Sequence, residues 1–404
     1  MNRKLLEKRV IRDPIHGYIH IEDSVIWDCI NTREFQRLRR VRQLGSTLMV
    51  FPSGEHSRIT HCLGAYEVAR RFVNEVDDLA LQLTDREKLT VMAAALLHDV
   101  GHLPFSHSFE NVVERRHEDY TVQLIASNSE ISEVLRQVDD AFPYEVASVI
   151  NHTHPNPILG QLISSQLDAD RLDYLLRDSY FTGTSYGQID LDRIIRTMRV
   201  KDGRVVVKKS SMYTIENYIM ARYHMYWQVY YHRNSRSFDV LLKEIFIRLR
   251  DLYLQDASIV EDFPMYKDLL ENEVLSNDQL FWLDDSSCTY SFHLMMQHKD
   301  PILRDLSRRI LTRDLFDYTS LEEAENYRDL CLRKGYDPRY YLVADYQKQV
   351  PYQPYLGEKG DGIWVLMDDG SIKEFSEVSE VVRAISQINE EDERVFFPKE
   401  ILDD

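Results

Sequence analysis

The chain has 404 residues, of which 44% are hydrophobic and 29% are charged, and these proportions are ordinary for a folded protein with a sizeable core. Its formal net charge is −18, and a surface this acidic repels duplex DNA and anionic membranes. Broad nucleic-acid binding and attachment to a membrane surface are therefore not expected.

Cysteine usage and the N-terminal sequence indicate a reducing compartment. The four cysteines, Cys29, Cys62, Cys288 and Cys331, lie far apart, which argues against both a disulfide framework and a cysteine zinc site. The first residues lack the apolar core of a signal peptide, and no stretch is apolar enough to cross a bilayer. We expect a cytoplasmic protein.

Helical periodicity dominates the pattern of apolar residues. It predicts helices over 33–44, 62–82, 86–100, 143–152, 157–166, 168–179, 213–230 and 236–255. A β-hairpin is predicted where 199–200 and 204–207 flank the turn Lys201-Asp202-Gly203. After Gly335, three segments are typical of strands (339–346, 362–367 and 394–398), with a helix near 377–388. The sequence thus predicts a mostly α fold: a helical core with a small hairpin over 1–335 and a small α+β region over 336–404.

The histidines point to a metal site. Eight of the fourteen lie between His56 and His154. An apolar helix runs into His98-Asp99, and an imidazole beside a carboxylate suits a divalent ion of Mn, Fe, Mg or Zn rather than a soft metal. Taken alone, a histidine on an apolar helix is more often a core residue. Further candidate ligands are His61, at the start of a helix, and three aspartates of one acidic helix, Asp168, Asp170 and Asp173.

The order His61…His98-Asp99…Asp170 resembles the H…HD…D signature of HD-domain phosphohydrolases. Further motifs follow the order found in dNTP triphosphohydrolases: Asp13-Pro14-Ile15-His16-Gly17, Phe35-Gln36-Arg37-Leu38-Arg39, Gln43-Leu44-Gly45, HDVGHLPFSH over 98–107, and His232-Arg233-Asn234-Ser235. The resemblance covers roughly residues 10–245. It implies an HD-domain helical core that hydrolyses a dNTP to a deoxynucleoside and inorganic triphosphate. It also implies that a divalent metal ion is held by His61, His98, Asp99 and Asp170.

The same resemblance implies catalytic roles for the residues that follow the HD pair. His102 and His117 match histidines that line the water and phosphate site. His107 matches a residue proposed to protonate the departing 5′-oxygen, and Glu110 stands where the family has an orienting Asp. Glu118, beside His117, belongs to the same group. Histidine suits these roles because it gains or loses a proton near neutral pH.

Substrate contacts are implied at seven positions. Asp170, Tyr174 and Asp178 share one helical face, since they are spaced at i, i+4 and i+8. The resemblance makes Tyr174 a platform under the deoxyribose and Asp178 the partner of the 3′-hydroxyl. It implies that three arginines contact the phosphates: Arg58, Arg171 and Arg233. Gln43 approaches the 3′-hydroxyl, and Leu44 packs against the sugar 2′ position, where an apolar side chain disfavours ribonucleotides.

Two alternatives stay open. One is another HD-domain phosphohydrolase, although alarmone hydrolases resemble HDxxED and cyclic-dinucleotide enzymes HDxGK, whereas this chain has HDVGH. The other is a nucleotide-sensing protein that has the fold without turnover, which a measurement of triphosphate release separates from the enzyme. The resemblance further implies a homotetramer with a dNTP activator bound between subunits, near residues 13–39. Asn31 stands where a relative uses Asp to read guanine, so the base of such an activator stays open.

Overall fold

The computed structural model describes residues 4–113, 115–271, 274–354, 362–388 and 390–403. Most of these residues are helical, which confirms the predicted fold class. The helices are α1 Ser24–Ile30, α2 Arg33–Arg37, α3 Arg58–Glu75, α4 Asp77–Gln82, α5 Asp85–Leu97, α6 His107–Val113, α7 His117–Ala126, α8 Glu130–Arg136, α9 Phe142–Ile150, α10 Pro157–Ile163, α11 Ala169–Thr182, α12 Leu191–Thr197, α13 Met212–Met225, α14 Arg233–Gln255, α15 Ile259–Asp262, α16 Lys267–Glu271, α17 Asn277–Trp282, α18 Asp285–Met295, α19 Pro301–Thr312, α20 Ala324–Arg333, α21 Pro338–Tyr341, α22 Phe375–Val378 and α23 Glu380–Ile385. A π-helical turn, Tyr226–Tyr230, joins α13 to the segment before α14. Within these described ranges, no helix combines the length and the apolar composition of a membrane span.

The strands form three small sheets. They are β1 Lys4–Asp13, β2 Gly17–Asp23, β3 Met198–Lys201, β4 Arg204–Lys208, β5 Asp317–Thr319, β6 Val343–Gln349, β7 Trp364–Leu366, β8 Ile372–Glu374 and β9 Glu390–Phe397. β1 and β2 form an antiparallel hairpin, β3-β4-β7-β8 form a second sheet in which β4 and β7 are parallel, and β5-β9-β6 form a third. Strands from the last seventy residues therefore pair with strands from the preceding part of the chain. The domain boundary proposed near residue 335 stays a prediction.

Helices α3, α5 and α11 pack together and carry the candidate metal ligands. α5 begins at a capping box, in which the Thr84 side chain accepts from the Glu87 backbone and the Glu87 side chain accepts from Thr84. Its second half, Val91–Leu97, is fully buried, so the hydrophobic effect fixes its position. The helix ends at Leu97, and His98 is the C-cap residue. Burial of α5 thereby brings the His98-Asp99 pair to the centre of the helical core.

A glycine permits the close approach of α3 and α11. A Cβ atom at Gly64 would lie 1.8 Å from Asp173 Oδ1 and 2.4 Å from Arg177 Nη2. Any larger residue would collide with this buried ion pair. Because Gly64 has no side chain, Asp173 of α11 can lie directly behind His61, which precedes Gly64 by three residues on α3.

Several predicted boundaries differ from the structure. The helix predicted over 33–44 is α2 followed by a 3-10 turn, Leu38–Arg40, and an extended segment. The helix predicted over 62–82 is broken at Val76, which has an extended backbone, into α3 and α4. Residues 339–341, predicted as the start of a strand, belong to α21, and β6 begins only at Val343. The hairpin β3-β4 and the strands β7 and β9 are confirmed, whereas the β1-β2 hairpin was not predicted.

Candidate functional site

Four side chains from three parts of the chain converge beyond the end of α5. They are His61 from α3, the neighbours His98 and Asp99, and Asp170 from the first turn of α11. His61 Nε2 lies 3.3 Å from His98 Nε2, 3.1 Å from Asp170 Oδ1 and 3.5 Å from Asp99 Oδ2. His98 Nε2 lies 3.4 Å from Asp99 Oδ1 and 3.5 Å from Asp170 Oδ1. The structure brings together all four residues proposed as metal ligands.

The far side of each imidazole is fixed by a hydrogen bond. His98 Nδ1 donates to the Ala95 carbonyl at 2.8 Å, and a carbonyl can only accept, so the proton lies on Nδ1. His61 Nδ1 donates to Asp173 Oδ2 at 2.8 Å. Asp173 in turn accepts from His16 Nε2 at 2.7 Å and from Arg177. Both imidazoles therefore present Nε2 to the centre of the cluster, as metal-binding histidines do.

The donor set fits a divalent cation. With both protons on Nδ1, the two neutral imidazoles direct the lone pairs of their Nε2 atoms at each other across 3.3 Å, and a shared cation or an added proton relieves this contact. Burial opposes the charge on His61, but hydrogen bonds with Asp170 and Asp173 raise its pKa to about 10, so without a metal ion this imidazole favours a second proton. A metal ion would compete with that proton. Two imidazoles and two carboxylates suit Mn, Fe, Zn or Mg.

The three aspartates of the acidic segment have different positions. Asp168 is the N-cap of α11, accepts from the backbone of Arg171 and forms an ion pair with the Arg171 side chain. Burial raises the pKa of Asp168 to about 6. Asp173 lies behind His61, on the Nδ1 side. Asp170 is the one of the three that faces both Nε2 atoms, and its side chain is 32% exposed. The choice of Asp170 among the three agrees with this arrangement.

Arg58 lies against the cluster and is paired with it. Its Nη1 forms an ion pair with Asp99 Oδ2, and its Nε donates to Ser106 Oγ at 2.8 Å. Ser106 and the preceding Phe105 both have positive φ values, 58° and 55°, which L-residues adopt at a cost in energy. Burial raises the pKa of Asp99, but Arg58 and the neighbouring histidines hold it well below its usual range. Arg58, proposed to contact phosphate, therefore already neutralises a candidate metal ligand.

A second group of histidines stands beside the first. The His102 ring stacks on the His117 ring with centroids 3.7 Å apart, and the His107 ring is edge-on to both, at 4.8 and 5.3 Å. Glu110 joins two of them, since its Oε1 accepts from His117 Nδ1 at 2.5 Å and its Oε2 lies 3.3 Å from His107 Nδ1. Burial raises the pKa of Glu110, but these two histidines hold it below its usual range. These four residues can also hold a metal ion.

The two histidine groups meet at Asp99. Asp99 Oδ1 lies 3.3 Å from His102 Nε2 and 3.5 Å from His117 Nε2. His102 is buried, and both of its ring nitrogens lack a hydrogen-bond partner among the described residues. Burial and the charges of Arg58 and His117 lower its pKa well below the usual value. His107, by contrast, is 68% exposed, so it can reach a bound molecule.

A tight packing contact positions α7 and with it His117. A Cβ atom at Gly101 would lie 2.3 Å from the His117 carbonyl oxygen and 2.3 Å from the Thr121 nitrogen. Thr121 Oγ1 donates to the His98 carbonyl at 2.8 Å and accepts from the Gly101 nitrogen at 3.0 Å. Glu118 forms an ion pair with Arg116, and its Oε2 lies 3.4 Å from His117 Nδ1. The glycine of HDVGH therefore allows α7 to dock against the HD pair.

The face of α11 beyond Asp170 is aromatic and acidic. The Tyr174 ring is 6.4 Å from the His61 ring and 6.3 Å from the Tyr230 ring. Asp178 is buried, with Oδ1 2.8 Å from His56 Nε2 and Oδ2 accepting from the Tyr230 hydroxyl at 2.7 Å. Tyr174 is thus close to the cluster, and Asp178 lies about two helical turns beyond Asp170, as the i, i+4, i+8 spacing predicts.

The remaining predicted residues divide into two groups. Gln43 donates its backbone N–H to the His56 carbonyl at 2.9 Å, and its side-chain Oε1 is buried without a partner in the described structure. Leu44 follows it and is buried. Gln43 and Leu44 thus lie next to His56, which is the hydrogen-bond partner of Asp178. Arg233, however, is exposed at the start of α14, and its described contact is with the Tyr318 ring, 5.8 Å from Cζ, rather than with the cluster.

His56 and Tyr230 hold Asp178 but were not predicted from the sequence. His56 also stacks on Phe181 with ring centroids 4.5 Å apart, and its Nδ1 is buried without a partner among the described residues. His56 is separated from Asp178 by 122 positions. The sequence offers one signal, the position of His56 two residues before Arg58 in the histidine-rich quarter, and this signal does not name its partner.

Comparison with known proteins agrees with the fold and the site. The HD domain model matches residues 58–178, and the HD associated region model matches residues 189–261. YwfO of Bacillus subtilis is 43% identical over 412 residues, which cover 100% of this chain and 95% of that protein. Deoxynucleoside triphosphate triphosphohydrolase SAMHD1 of Homo sapiens is 26% identical over 364 residues, 77% of this chain and 54% of that protein.

A solved structure extends the likeness to the whole chain. A phosphohydrolase from Bacteroides thetaiotaomicron superimposes with a TM-score of 0.83 and 26% sequence identity, over 97% of this chain and 100% of that one. Its fold covers the C-terminal sheets as well as the helical core. The matched HD and HD-associated regions, and a relative at 43% identity along the full length, place the chain in the HD-domain phosphohydrolase family, which includes the SAMHD1 triphosphohydrolases.

Proposed function

We propose that this protein is a metal-dependent deoxynucleoside triphosphate triphosphohydrolase, which releases a deoxynucleoside and inorganic triphosphate. The observation that carries the proposal is the convergence of His61, His98, Asp99 and Asp170 beside a second, hydrogen-bonded group of histidines. A platform for a nucleoside, Tyr174 and Asp178, adjoins both. Relatives whose names state this activity are 26–30% identical to the chain over the aligned residues, which cover 52–54% of those relatives.

The metal ligands of the proposal are His61, His98, Asp99 and Asp170, for a divalent ion of Mn, Mg, Fe or Zn. Such an ion, when bound, polarises a phosphate oxygen and lowers the pKa of a water molecule. The protein prepares this site in advance: Asp173 and the Ala95 carbonyl hold the two imidazoles with Nε2 inward. Arg58 keeps Asp99 ionised, which a metal ligand must be.

In this proposal the second group of histidines, His102, His107 and His117, carries out proton transfer. His107 is exposed and stands beside Glu110, so Glu110 can orient the ring while the far nitrogen donates a proton to the departing 5′-oxygen. His117, held by Glu110 and near Glu118, faces Asp99 through Nε2. His102 has a lowered pKa and is neutral at pH 7, so it can hydrogen-bond to water or phosphate without adding a charge.

Recognition of the nucleoside relies on the face of α11 and on the segment before α3. Tyr174 would lie under the deoxyribose. Asp178 would accept the 3′-hydroxyl, because each carboxylate oxygen has a second lone pair beyond its bond to His56 or Tyr230. The unpartnered Oε1 of Gln43 is a second acceptor. Leu44 would leave a 2′-hydroxyl crowded and unpaired, which favours deoxynucleotides.

In this proposal Arg58, Arg171 and Arg233 bind the phosphates of the substrate. Arg233 would have to turn away from Tyr318 to reach them. The proposed assembly is a cytoplasmic homotetramer activated by a dNTP bound between subunits, near residues 13–39. An acidic chain that binds no nucleic acid broadly suits a soluble enzyme of nucleotide metabolism.

The reaction products test the proposal. The protein is incubated with each dNTP, singly and in pairs, with Mn²⁺ or Mg²⁺, and the products are separated by ion exchange. Release of inorganic triphosphate and deoxynucleoside in equal amounts is the expected result. Pyrophosphate or orthophosphate as the first product would show a different phosphohydrolase, and absence of turnover under all conditions would favour a nucleotide sensor.

A further inference from the structure

A face of α13 and its π-helical turn stands opposite the substrate face of α11. The face consists of Tyr218, Arg222, Tyr226 and Tyr230, each four residues after the last. Its two ends are fixed against α11 or the segment before it: the Tyr218 hydroxyl donates to the Gln166 carbonyl at 2.6 Å, and the Tyr230 hydroxyl donates to Asp178. The two residues between these anchors, Arg222 and Tyr226, therefore face the middle of the α11 surface.

Arg222 lies near the residues proposed to bind the triphosphate. Its Cζ is 5.8 Å from the Tyr226 ring centroid. The Tyr226 ring is 5.2 Å from the Tyr230 ring, which in turn is 6.3 Å from the Tyr174 ring of α11. Arg222 of α13 thus faces the part of α11 that carries Tyr174, one helical turn after Asp170.

Unlike Arg58 and Arg171, Arg222 has no carboxylate partner in the described part of the chain. Arg58 is paired with Asp99, and Arg171 is paired with Asp168. The charges that act on Arg222 come from tyrosines and from Arg171. Its Nε is buried and has no hydrogen-bond partner among the described residues. A buried guanidinium N–H is normally hydrogen-bonded, because leaving it unpaired costs about 1–3 kcal/mol.

We infer that Arg222 is a phosphate-binding residue of the triphosphate site, and this assignment rests on the proposed function. A guanidinium without a carboxylate partner, opposite the α11 face that carries Tyr174, offers planar, paired N–H donors, the geometry that suits phosphate oxygens. The phosphate chain satisfies the free Nε donor and offsets the repulsion between Arg222 and Arg171. Arg222 binds the polyphosphate and does not transfer a proton.

Binding of inorganic tripolyphosphate tests Arg222 separately from turnover. Calorimetry compares the wild-type protein, Arg222→Gln, Arg222→Met and a control, Arg196→Gln, which removes the same charge from an exposed position on α12. All four are measured in one metal-loaded buffer. We expect at least a tenfold loss of affinity for both Arg222 variants and less than a twofold change for the control. If the Gln variant does not fold, the Met variant, which has a similar unbranched stem, gives the result.

The outcomes separate this inference from the proposed function. An Arg222 variant that binds tripolyphosphate as tightly as the Arg196 control overturns the inference, even if the enzyme releases triphosphate from dNTPs. Wild-type protein that does not bind tripolyphosphate overturns it as well. An Arg222-dependent tripolyphosphate site in a protein that releases no triphosphate supports the inference and rejects the proposed reaction. If both are right, Arg222→Gln also raises KM for dNTPs at least tenfold with a smaller effect on kcat.

Discussion

Asp173 holds His61, a proposed metal ligand, without being one of the proposed ligands itself, so Asp173→Asn is expected to weaken metal binding. The Asp173 carboxylate accepts four hydrogen bonds, two on each oxygen. His61 Nδ1 and Arg177 Nε donate to Oδ2 at 2.8 and 2.9 Å, and His16 Nε2 and Arg177 Nη2 donate to Oδ1 at 2.7 and 2.9 Å. An asparagine has the same shape but replaces one of these oxygens by an NH₂ group.

Both orientations of that amide are unfavourable. Either one directs the NH₂ at an N–H group of Arg177, which always carries its proton. One orientation also forces the proton of His61 onto Nε2, the nitrogen that faces the cluster. In the other, a neutral carbonyl replaces the carboxylate as the partner of His61 and makes it a weaker ligand. Removal of such an outer partner typically lowers metal affinity 10–100-fold, or about 1.4–2.7 kcal/mol.

Calorimetric titration with Mn²⁺ measures this effect, and Asp300→Asn is the matched control. Asp300 is also a buried aspartate that pairs with an arginine, Arg248, but it caps α19 and has no contact with the cluster. The control should lose stability and bind Mn²⁺ as wild type does. Equal Mn²⁺ affinity for Asp173→Asn, Asp300→Asn and wild type would refute the role of Asp173 in orienting His61.

Three further predictions concern catalysis, stability and packing. His107→Ala should lower kcat far more than it raises KM in steady-state assays of dNTP hydrolysis, because His107 acts on the leaving group; equal losses would indicate a collapsed pocket. Burial raises the pKa of Glu244 from 4.5 to about 7. Between these two pH values the folded state keeps a proton that the unfolded state has lost, so the free energy of unfolding falls as pH rises from about 4.5 to 7. Glu244→Gln should therefore stabilise the protein by roughly 1–3 kcal/mol at pH 8 and have little effect near pH 4, as measured by urea unfolding; the same gain at both pH values would contradict this. Gly101→Ala should cost about 1–3 kcal/mol of stability, because its Cβ would collide with the backbone of α7, and a neutral result in the same unfolding assay would show that α7 can shift.

Local patterns in the sequence predict most of the helices, because a helix depends on spacing within a few turns. The four proposed metal ligands lie far apart in the chain, so their grouping was predicted from the resemblance to HD-domain phosphohydrolases. The apolar run before His98 is a buried helix, and Asp170, Tyr174 and Asp178 share one face of α11. The points at which helices end were harder to predict. Helical periodicity continues across Val76, and the helix at residue 33 ends where the buried Arg37 donates to the carbonyls of His102 and Leu283. Those contacts come from distant parts of the chain.

Long-range partners also decide what the candidate site residues do. The family resemblance implies that Arg58 and Arg171 contact phosphate, but it does not show that each is already paired with a carboxylate. The strand β1 is exposed over most of its length, so it has little apolar alternation, and its pairing with β2 gives no signal in its own pattern. Sequence spacing therefore predicts which residues meet along one helix, whereas pairing between elements requires the structure.

The balance of charge explains how a chain with a net charge of −18 can bind a polyanion. Five carboxylates and three arginines surround the cluster, and the three arginines neutralise all but two of the negative charges: Asp13, Asp99, Asp168, Asp170 and Asp173 against Arg58, Arg171 and Arg177. A divalent cation at the proposed site balances the remaining two. Attraction for phosphate then depends on groups whose charge is not already neutralised, and Arg222 is such a group within the described structure. Arg58 and Arg171, which the resemblance assigns to phosphate, each pair with an aspartate, whereas Arg222 has no carboxylate partner in the described structure and is available to the substrate.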